Sequence, residues 1–321
     1  MKSLIRIVPL VVTIAFFGCA PAETPPEIEE AEMLNGLANG SFTAQLNGFD
    51  IHYEVHGEGP VLMVLTNSWG LSLEGVRALF SPLEEQLTVV YFDPRGMGES
   101  GPVVEESDMG MAAVRADFHA LREYLGLQAV NAIGWSNGAM NLVLLAAERP
   151  KTIENAIFVH GVASYGEEDA AELAAEYPEL IQKYGQFLQD VQSPELTDAE
   201  RTAMMRALWV EEWFPMATGD PENSAAMFER LFGNAEFSWP HADYTNRENP
   251  TFDALDQLPV ITARCLVIAG AHDTMKVDGV QELADGLNDS QFMLFEASGH
   301  FAPAEEPEAF KEAVFAFLGV G

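Results

Sequence analysis

Residues 129–145, AVNAIGWSNGAMNLVLL, place a glycine-flanked serine between two apolar runs. Ala129 to Ile133 fits a strand buried on both faces, and the residues from Ala139 onward fit an apolar helix. Between them, Gly134-Trp135-Ser136-Asn137-Gly138 is a G-x-S-x-G pentapeptide. Its glycines allow a sharp turn that exposes the serine and let strand and helix pass closely. The alternative interpretation is a tight turn whose serine is incidental.

Strands and helices alternate on both sides of this stretch. Alternating apolar residues from Phe42 to Val55, with Asn47-Gly48 at the bend, predict a hairpin. Further strands are predicted at 61–65, 88–92, 156–159, 265–269 and 292–295. Strands that alternate with helices predict an α/β fold with a mostly parallel central sheet covered on both faces. Ligands in such sheets bind beyond the carboxyl ends of the strands, so candidate chemistry is expected along one edge.

The alternation stops between about residues 162 and 256, where the chain becomes helical and acidic. Helices are predicted at Glu167–Gln192, interrupted at Pro178, at Thr197–Phe214, and after Asp220. Thr197 and Glu200 form a capping box at the start of the second helix. An insertion directly after a strand end is expected to cover the site, so we predict a core of residues 41–161 and 257–321 and a helical cap of residues 162–256.

Charge excludes several classes of partner. The chain of 321 residues has 16 Lys and Arg against 50 Asp and Glu, a formal net charge of -34. Nucleic-acid binding needs basic patches to contact phosphate, and anionic lipid headgroups would repel such a surface. We therefore expect no nucleic-acid partner and no direct affinity for anionic membranes.

The first residues are typical of a secretion signal. Lys2 and Arg6 form a charged region, Ile7 to Phe17 an apolar core too short to span a bilayer, and Gly18-Cys19 follow. The Gly-Cys pair resembles the lipobox of bacterial lipoproteins, which implies a signal peptide of residues 1–18, lipidation at Cys19 and a lipid anchor in the bacterial cell envelope, periplasmic or at the outer surface. Residues 19–40, rich in Pro, Glu and Ala, predict a flexible tether. An ordinary secretory signal and an uncleaved anchor are the alternatives.

Three strand ends carry a possible nucleophile, acid and base. A serine needs a base to become a good nucleophile, and that base needs an acid to orient it. Asp273 follows the strand at 265–269 and His300 follows the strand at 292–295, so the chain order is Ser136, Asp273, His300. Asp278 is an alternative acid, and His300 could instead be a structural histidine. The other histidines have no ligand spacing and Cys265 reads as a core residue, so no metal site is predicted.

These motifs together resemble the α/β-hydrolase superfamily. The resemblance rests on the pentapeptide, on Asp93-Pro94-Arg95-Gly96-Met97-Gly98-Glu99-Ser100, on Ala269-Gly270-Ala271-His272-Asp273, and on Ser298-Gly299-His300 with the acidic stretch after it. The helical cap and residues 252–258 look most like proline iminopeptidase-type enzymes. The resemblance implies a serine hydrolase with a helical cap over its active site.

An oxyanion hole needs two N–H groups aimed at the developing negative charge. By position these are the backbone N–H groups of Asn137 and Ser68. Proline iminopeptidases carry His-Gly-Gly-Pro-Gly where this chain has Thr66-Asn67-Ser68-Trp69-Gly70, a departure that weakens the expectation of aminopeptidase specificity. Residues expected to contact the substrate are Asn67, Trp69, Trp135, Trp209, Glu211 and Glu212. One of the two glutamates would bind a substrate ammonium group, as cap carboxylates do in the iminopeptidase-like enzymes, whereas the alternative is a solvated helix face.

The sequence therefore predicts a serine hydrolase that cleaves a small ester or amide through an acyl-enzyme, without a cofactor. Its partner is a small-molecule or short-peptide substrate, its membrane contact is the N-terminal lipid alone, and its oligomeric state is left open. An esterase, a lactonase or a carbon-carbon bond hydrolase would use the same residues. A non-catalytic binding protein on the same scaffold is the alternative from another class.

Overall fold

A central eight-stranded sheet organises the computed structural model, which describes residues 37–321. Its strands are β1 (Gly40–Leu46), β2 (Phe49–His56), β3 (Val61–Leu65), β4 (Thr88–Phe92), β5 (Val130–Trp135), β6 (Ile153–Val159), β9 (Arg264–Gly270) and β10 (Ser290–Phe295). The order across the sheet is β1-β2-β4-β3-β5-β6-β9-β10. β1 and β2 form the predicted hairpin and β2 pairs antiparallel with β4, whereas the other pairs are parallel.

Helices connect the strands and cover the sheet. They are α1 (Leu73–Phe80), α2 (Met111–Tyr124), α3 (Asn137–Glu148), α4 (Glu167–Glu176), α5 (Pro178–Asp190), α6 (Asp198–Leu208), α7 (Ser224–Phe232), α8 (Trp239–Glu248), α9 (Val277–Gly286), α10 (Ala302–Glu305) and α11 (Pro307–Leu318). The predicted α/β fold, with a mostly parallel sheet and helices on both faces, is confirmed.

Two apolar clusters lie on opposite faces of the sheet because side chains alternate along each strand. One cluster joins α2, α3 and α9 to the sheet through residues such as Phe118, Leu142 and Leu283. The other cluster joins α1, α11 and part of residues 162–256 to the opposite face of the sheet, through residues such as Phe80 and Phe310. Burial on both faces explains why the central strands are continuous apolar runs rather than alternating ones.

Residues 162–256, which we call the cap segment, contain α4 to α8 and a small antiparallel pair, β7 (Ser164–Tyr165) with β8 (Phe252–Asp253). The predicted break at Pro178 separates α4 from α5, and the Thr197 side chain accepts from the Glu200 N–H as the capping box requires. The helix predicted to run on to Phe214 instead changes to a π-helical turn at Trp209–Trp213.

Two further helices differ from the sequence-based expectation. The helix α8 was not predicted, because Trp239-Pro240-His241 carries no clear apolar period even though Pro lies in its first turn. The sequence pattern alone predicts a helix over Glu282–Leu287, whereas α9 begins several residues earlier, at Val277. Both misses lie where helix ends are set by tertiary packing rather than by local pattern.

The N-terminal predictions fall outside the described residues. These are the signal peptide at 1–18, lipidation at Cys19 and most of the tether at 19–40, of which only residues 37–40 are described. Within residues 37–321, no helix is both long enough and apolar enough to cross a bilayer.

Candidate active site

The turn between β5 and α3 holds Ser136 in a strained conformation. Its backbone has φ 55° and ψ -123°, a region that non-glycine residues rarely adopt. A Cβ added at Gly134 would lie 2.5 Å from the Gly138 oxygen, and one at Gly138 would lie 2.7 Å from the Leu65 oxygen. Glycine is therefore required at both positions for strand and helix to approach so closely. Ser136 lines a cavity at the carboxyl edge of the sheet.

Asp273 and His300 meet at the same edge, from the loops after β9 and β10. The Nδ1 atom of His300 lies 2.8 Å from Oδ2 and 3.0 Å from Oδ1 of Asp273. A carboxylate only accepts, so Nδ1 carries the hydrogen and leaves Nε2 as the lone-pair nitrogen. The Met275 N–H also donates to Oδ1, at 2.9 Å. The alternative acid, Asp278, is exposed in the first turn of α9.

The backbone around His300 is fixed on several sides. Its N–H donates to the Ala217 carbonyl at 2.6 Å. Oε2 of Glu305 accepts from the N–H groups of Gly299 at 2.9 Å and Phe301 at 3.1 Å, the two neighbours of His300. Burial raises the pKa of Glu305, although its backbone hydrogen bonds oppose that shift. These contacts hold the imidazole on a rigid loop.

The serine turn and the histidine loop are in direct contact. Trp135 Nε1 donates to the His300 carbonyl at 2.8 Å, and the two rings lie 5.2 Å apart. Among the described residues, His300 Nε2 has no hydrogen-bond partner, so its bond to the Ser136 hydroxyl is not made in this state. Catalytic hydrogen bonds are often long without substrate and tighten when it binds.

A second histidine, His160, also reaches Asp273, which the sequence did not lead us to expect. Its Nδ1 lies 3.1 Å from Oδ2 of Asp273, and its ring lies 5.3 Å from that of His300. Its position directly after β6, at the edge where the other strand-end residues gather, is the signal that could have identified it. Burial raises the pKa of Asp273, but His300 and His160 lower it by more, so the carboxylate stays ionised.

These three side chains are also the kind of cluster that can bind a metal ion, since their ligand atoms all lie within 4.8 Å of one another. Metal binding requires imidazole nitrogens with free lone pairs. The Nδ1 atom of His300, however, is hydrogen-bonded to the Asp273 carboxylate and therefore carries a proton, while Nδ1 of His160 lies 3.1 Å from the same carboxylate. The contacts therefore fit a hydrogen-bonded cluster.

The cavity has a volume of about 520 Å³ and a mostly apolar wall. Most of its lining comes from the cap segment: Tyr165, Leu173, Leu180, Ile181, Tyr184, Leu208, Trp209, Trp213, Thr245, Asn246, Asn249, Pro250 and Phe252. Core residues complete it: Asn67, Trp69, Met111, Ser136, Asn137, Met140 and Met275. Within the described part of the chain, no lining residue carries a formal charge.

Core and cap meet at an aromatic stack. The rings of Trp69 and Trp209 are stacked with centroids 4.6 Å apart, and Trp69 Nε1 donates to Asn246 Oδ1 at 2.9 Å. Trp213 packs edge-on against the His300 ring at 5.3 Å. Three of the predicted contact residues, Asn67, Trp69 and Trp209, line the cavity. Sequence reasoning missed Thr245, Asn246 and Asn249, because the helix that carries the first two and ends just before the third was not predicted.

Three other predicted contact residues lie elsewhere. Trp135 is buried beneath the serine turn, where its indole supports the histidine loop. Glu211 is exposed, and Glu212 pairs with Lys183 on the cap surface at 2.5 Å. Trp209 and Trp213 point inward from the π-helical turn, which leaves the two glutamates on its outer side. None of these three residues lines the cavity.

The predicted oxyanion donors are in different situations. Asn137 is the first residue of α3, so its N–H has no acceptor within the helix. The Ser68 N–H instead donates to Asn137 Oδ1 at 3.0 Å, and the Ser68 hydroxyl donates to the same oxygen at 2.9 Å. Ser68 is fully buried and Thr245 of the cap donates to its carbonyl at 2.8 Å. Thus, the Ser68 N–H has an intramolecular acceptor rather than facing the cavity.

Another Ser-His-Asp contact occurs far from the cavity. The Ser41 Oγ lies 2.9 Å from Nε2 of His52, whose Nδ1 lies 2.8 Å from Oδ2 of Asp93. Asp93 also accepts from the N–H groups of Leu73 and Glu99, so it organises the loop after β4. Ser41 is exposed on an edge strand and does not line the cavity. We interpret this contact as structural.

Comparisons with known proteins agree with the fold. The model of the family described as alpha/beta hydrolase fold matches residues 61–307. The AB hydrolase superfamily protein YclE of Bacillus subtilis is 22% identical over 272 residues, covering 83% of this chain and 94% of that protein. A proline iminopeptidase of Thermoplasma volcanium is 23% identical over 289 residues, covering 85% and 95%. The structure of an alpha/beta fold family hydrolase from Bacillus anthracis superposes with a TM-score of 0.71 at 20% identity, covering 87% and 99%.

Proposed function

The chain belongs to the alpha/beta hydrolase fold family, and from that premise we propose that it is a serine hydrolase. Ser136 is the nucleophile, His300 the general base and Asp273 the acid that orients it. The observation that carries this proposal is the contact of His300 Nδ1 with both carboxylate oxygens of Asp273, at 2.8 and 3.0 Å, beside a strained serine that lines a mostly apolar cavity. Backbone strain at a serine between a strand and a helix is typical of a nucleophile elbow.

The proposed reaction has two halves. His300 Nε2 takes the hydroxyl proton as Ser136 Oγ attacks the carbonyl carbon, and the same proton then passes to the leaving alcohol or amine as the acyl-enzyme forms. Water next gives its proton to Nε2 and attacks the acyl carbon, and the proton returns to Ser136 Oγ as the acid is released. Asp273 stays ionised and stabilises the imidazolium in both halves.

The developing oxyanion would be held by two N–H groups, with Asn137 as the first. For Ser68 to be the second, the Asn137 side chain must release the Ser68 N–H when the substrate carbonyl arrives. Each such donor is worth roughly 10²- to 10³-fold in rate. The Asn137 N–H also lies at the N-terminus of α3, where the positive end of the helix dipole helps to stabilise the oxyanion.

The cavity favours a neutral, largely apolar substrate. A substrate ammonium or carboxylate would lose its hydration in a wall that, among the described residues, offers no opposite charge. The amides of Asn67, Asn246 and Asn249 provide limited polar recognition. Similarity to a proline iminopeptidase supports an amide substrate, but the position of Glu211 and Glu212 removes the expected ammonium ligand. An ester or lactone with an apolar acyl or alkyl group fits best.

A panel of substrates tests the proposal. We expect p-nitrophenyl butyrate to be hydrolysed much faster than proline β-naphthylamide, with a burst of p-nitrophenol if deacylation limits the rate. Ser136→Ala should abolish turnover, whereas Ser193→Ala, the same change on the cap surface, should leave it unchanged. Turnover that survives Ser136→Ala would contradict the mechanism. Faster turnover of the proline amide would instead support the peptidase.

A folded protein that turns over none of these substrates, or any lactone offered, would favour the binding-protein alternative. The location of the enzyme is a separate proposal, a lipid tether at Cys19 in the cell envelope. Incorporation of labelled palmitate that is lost in Cys19→Ser tests it, and a secreted, unlabelled wild-type protein would contradict it.

A further inference from the structure

The backbone of His160 adopts a strained conformation. It follows β6 directly, its backbone φ of 54° lies in the left-handed region, and its N–H donates to the Ile268 carbonyl at 2.9 Å. A non-glycine residue rarely adopts this region unless its surroundings hold it there. The side chain is fully buried, beside the proposed catalytic acid.

The hydrogen-bond partners define which nitrogen of His160 carries the proton. The N–H of Ala302 donates to Nε2 at 3.3 Å, so Nε2 is an acceptor and is unprotonated. Nδ1 must then carry the hydrogen of the neutral ring. Nδ1 lies 3.1 Å from Oδ2 of Asp273, off the ideal hydrogen-bond direction, and no other acceptor within residues 37–321 reaches it.

We propose that His160 is a positioning residue that donates from Nδ1 to Asp273, so that the carboxylate is shared by two imidazoles. The inference rests on the proposed function, in which Asp273 orients His300. His300 Nδ1 and His160 Nδ1 both approach the same oxygen, Oδ2, at 2.8 and 3.1 Å. The Met275 N–H holds Oδ1. The carboxylate is thus fixed in orientation from three directions.

Sharing also sets the charge that His300 experiences. A donor to Asp273 spreads its negative charge and weakens its attraction for a protonated His300. Removing the His160 donor should therefore strengthen the attraction between the Asp273 carboxylate and a protonated His300. Two further carboxylates contact the loop that carries His300: Glu305 accepts from the backbone N–H groups on either side of His300, and Glu306 accepts from the Ser298 hydroxyl. The rings of Trp135, Trp213 and Phe301 also pack around the His300 imidazole.

Two variants test separately the Nδ1 donor of His160 and the volume that its ring occupies. His160→Phe keeps the bulk but removes the Nδ1 donor. His160→Asn places an amide N–H close to the Nδ1 position, and asparagine tolerates the left-handed backbone. Both variants lose Nε2, the acceptor for the Ala302 N–H, so this loss cannot account for a difference between them. The readout is the acidic limb of the kcat/KM profile for p-nitrophenyl butyrate, which reports the free enzyme's base.

We expect the acidic limb of His160→Phe to move to higher pH by about one unit, because the carboxylate is no longer shared. His160→Asn should keep the limb near its wild-type position. A purely structural role would lower the melting temperature of both variants and leave both limbs in place. An unmoved limb in folded His160→Phe, or an equal shift in both variants, would overturn the proposal.

A measurement on the wild-type protein keeps the proposal testable should His160→Phe not fold. Nitrogen-15 NMR of histidine-labelled protein should show His160 as the neutral tautomer with hydrogen on Nδ1. Burial, which outweighs the Asp273 contact, lowers the pKa of His160, so the ring should stay neutral at mildly acid pH. The opposite tautomer would overturn the inference. Absence of hydrolysis by the wild-type enzyme would overturn the proposed function but leave this tautomer result intact.

Discussion

Replacing Gly134 by alanine tests the geometry that exposes Ser136. The added Cβ would lie 2.5 Å from the oxygen of Gly138, 2.6 Å from its carbonyl carbon and 2.8 Å from the nitrogen of Ala139. All three atoms belong to the backbone of α3, so no side chain can rotate to make room. Since carbon contacts are optimal near about 3.5 Å, β5 and α3 must separate by roughly 0.5 to 1 Å.

The size of the effect follows from that displacement. Overpacking of this kind costs about 3 kcal/mol, at the upper end of its usual range. At roughly 2 to 4 °C per kcal/mol for a domain of this class, the melting temperature should fall by about 6 to 12 °C. Ser136 would move with the helix, and a misplacement near 1 Å costs about 10²-fold in rate. We expect kcat/KM to fall by about tenfold to a hundredfold.

The assay compares melting temperature and p-nitrophenyl butyrate hydrolysis in Gly134→Ala and in a matched control. At Gly185, within α5, an added Cβ would meet nothing within 4 Å. Gly185→Ala should therefore raise stability by about 0.5 to 1 kcal/mol, the gain from helix propensity, with unchanged activity. A Gly134→Ala protein as stable and active as wild type would refute the argument that backbone contact requires glycine there.

Three other changes test separate parts of the account. Asp273→Asn should lower kcat by about 10⁴-fold with little change in KM, and a loss below tenfold would remove its role in orienting His300. Replacing both Glu211 and Glu212 by glutamine should leave KM unchanged within about twofold, even for substrates with an ammonium group. The reason is that neither glutamate lines the cavity. A clear rise in KM would instead show that one of them binds the ammonium group. The Asp93 hydrogen bond raises the pKa of buried His52, so its stabilisation is complete below about pH 6.5 and is lost as pH rises through the folded-state pKa. The difference in unfolding free energy between wild type and His52→Gln, from urea titrations, should therefore shrink from about pH 6 to pH 9, and a constant or growing difference would contradict this.

Much of the core was predictable because local chemistry decides it. The apolar runs and the turn glycines define β5, the serine turn and α3, and parallel strands bring their carboxyl ends to one edge. That rule is sufficient to expect Ser136, Asp273 and His300 near one another. It applies equally to His160, which also follows a strand. A lone histidine is most often structural, however, and no residue spacing distinguishes His160 from such a histidine.

The walls of the cavity were less predictable because they depend on how the cap segment folds over the core. Glu211 and Glu212 have the right chemistry for an ammonium ligand, yet the direction of the π-helical turn leaves them outside. The helix α8 brings Thr245 and Asn246 to the cavity through contacts with the loop at 66–70, which no local pattern encodes. Likewise, only the fold shows that the Asn137 side chain reaches the Ser68 N–H.

The most direct test of the central claim is to identify the residue that a fluorophosphonate modifies, by intact mass and peptide mapping. We predict a single adduct on Ser136, absent in Ser136→Ala and formed much more slowly in His300→Gln. An adduct on Ser41, which also contacts a histidine, or a folded protein that stays unmodified, would contradict the account.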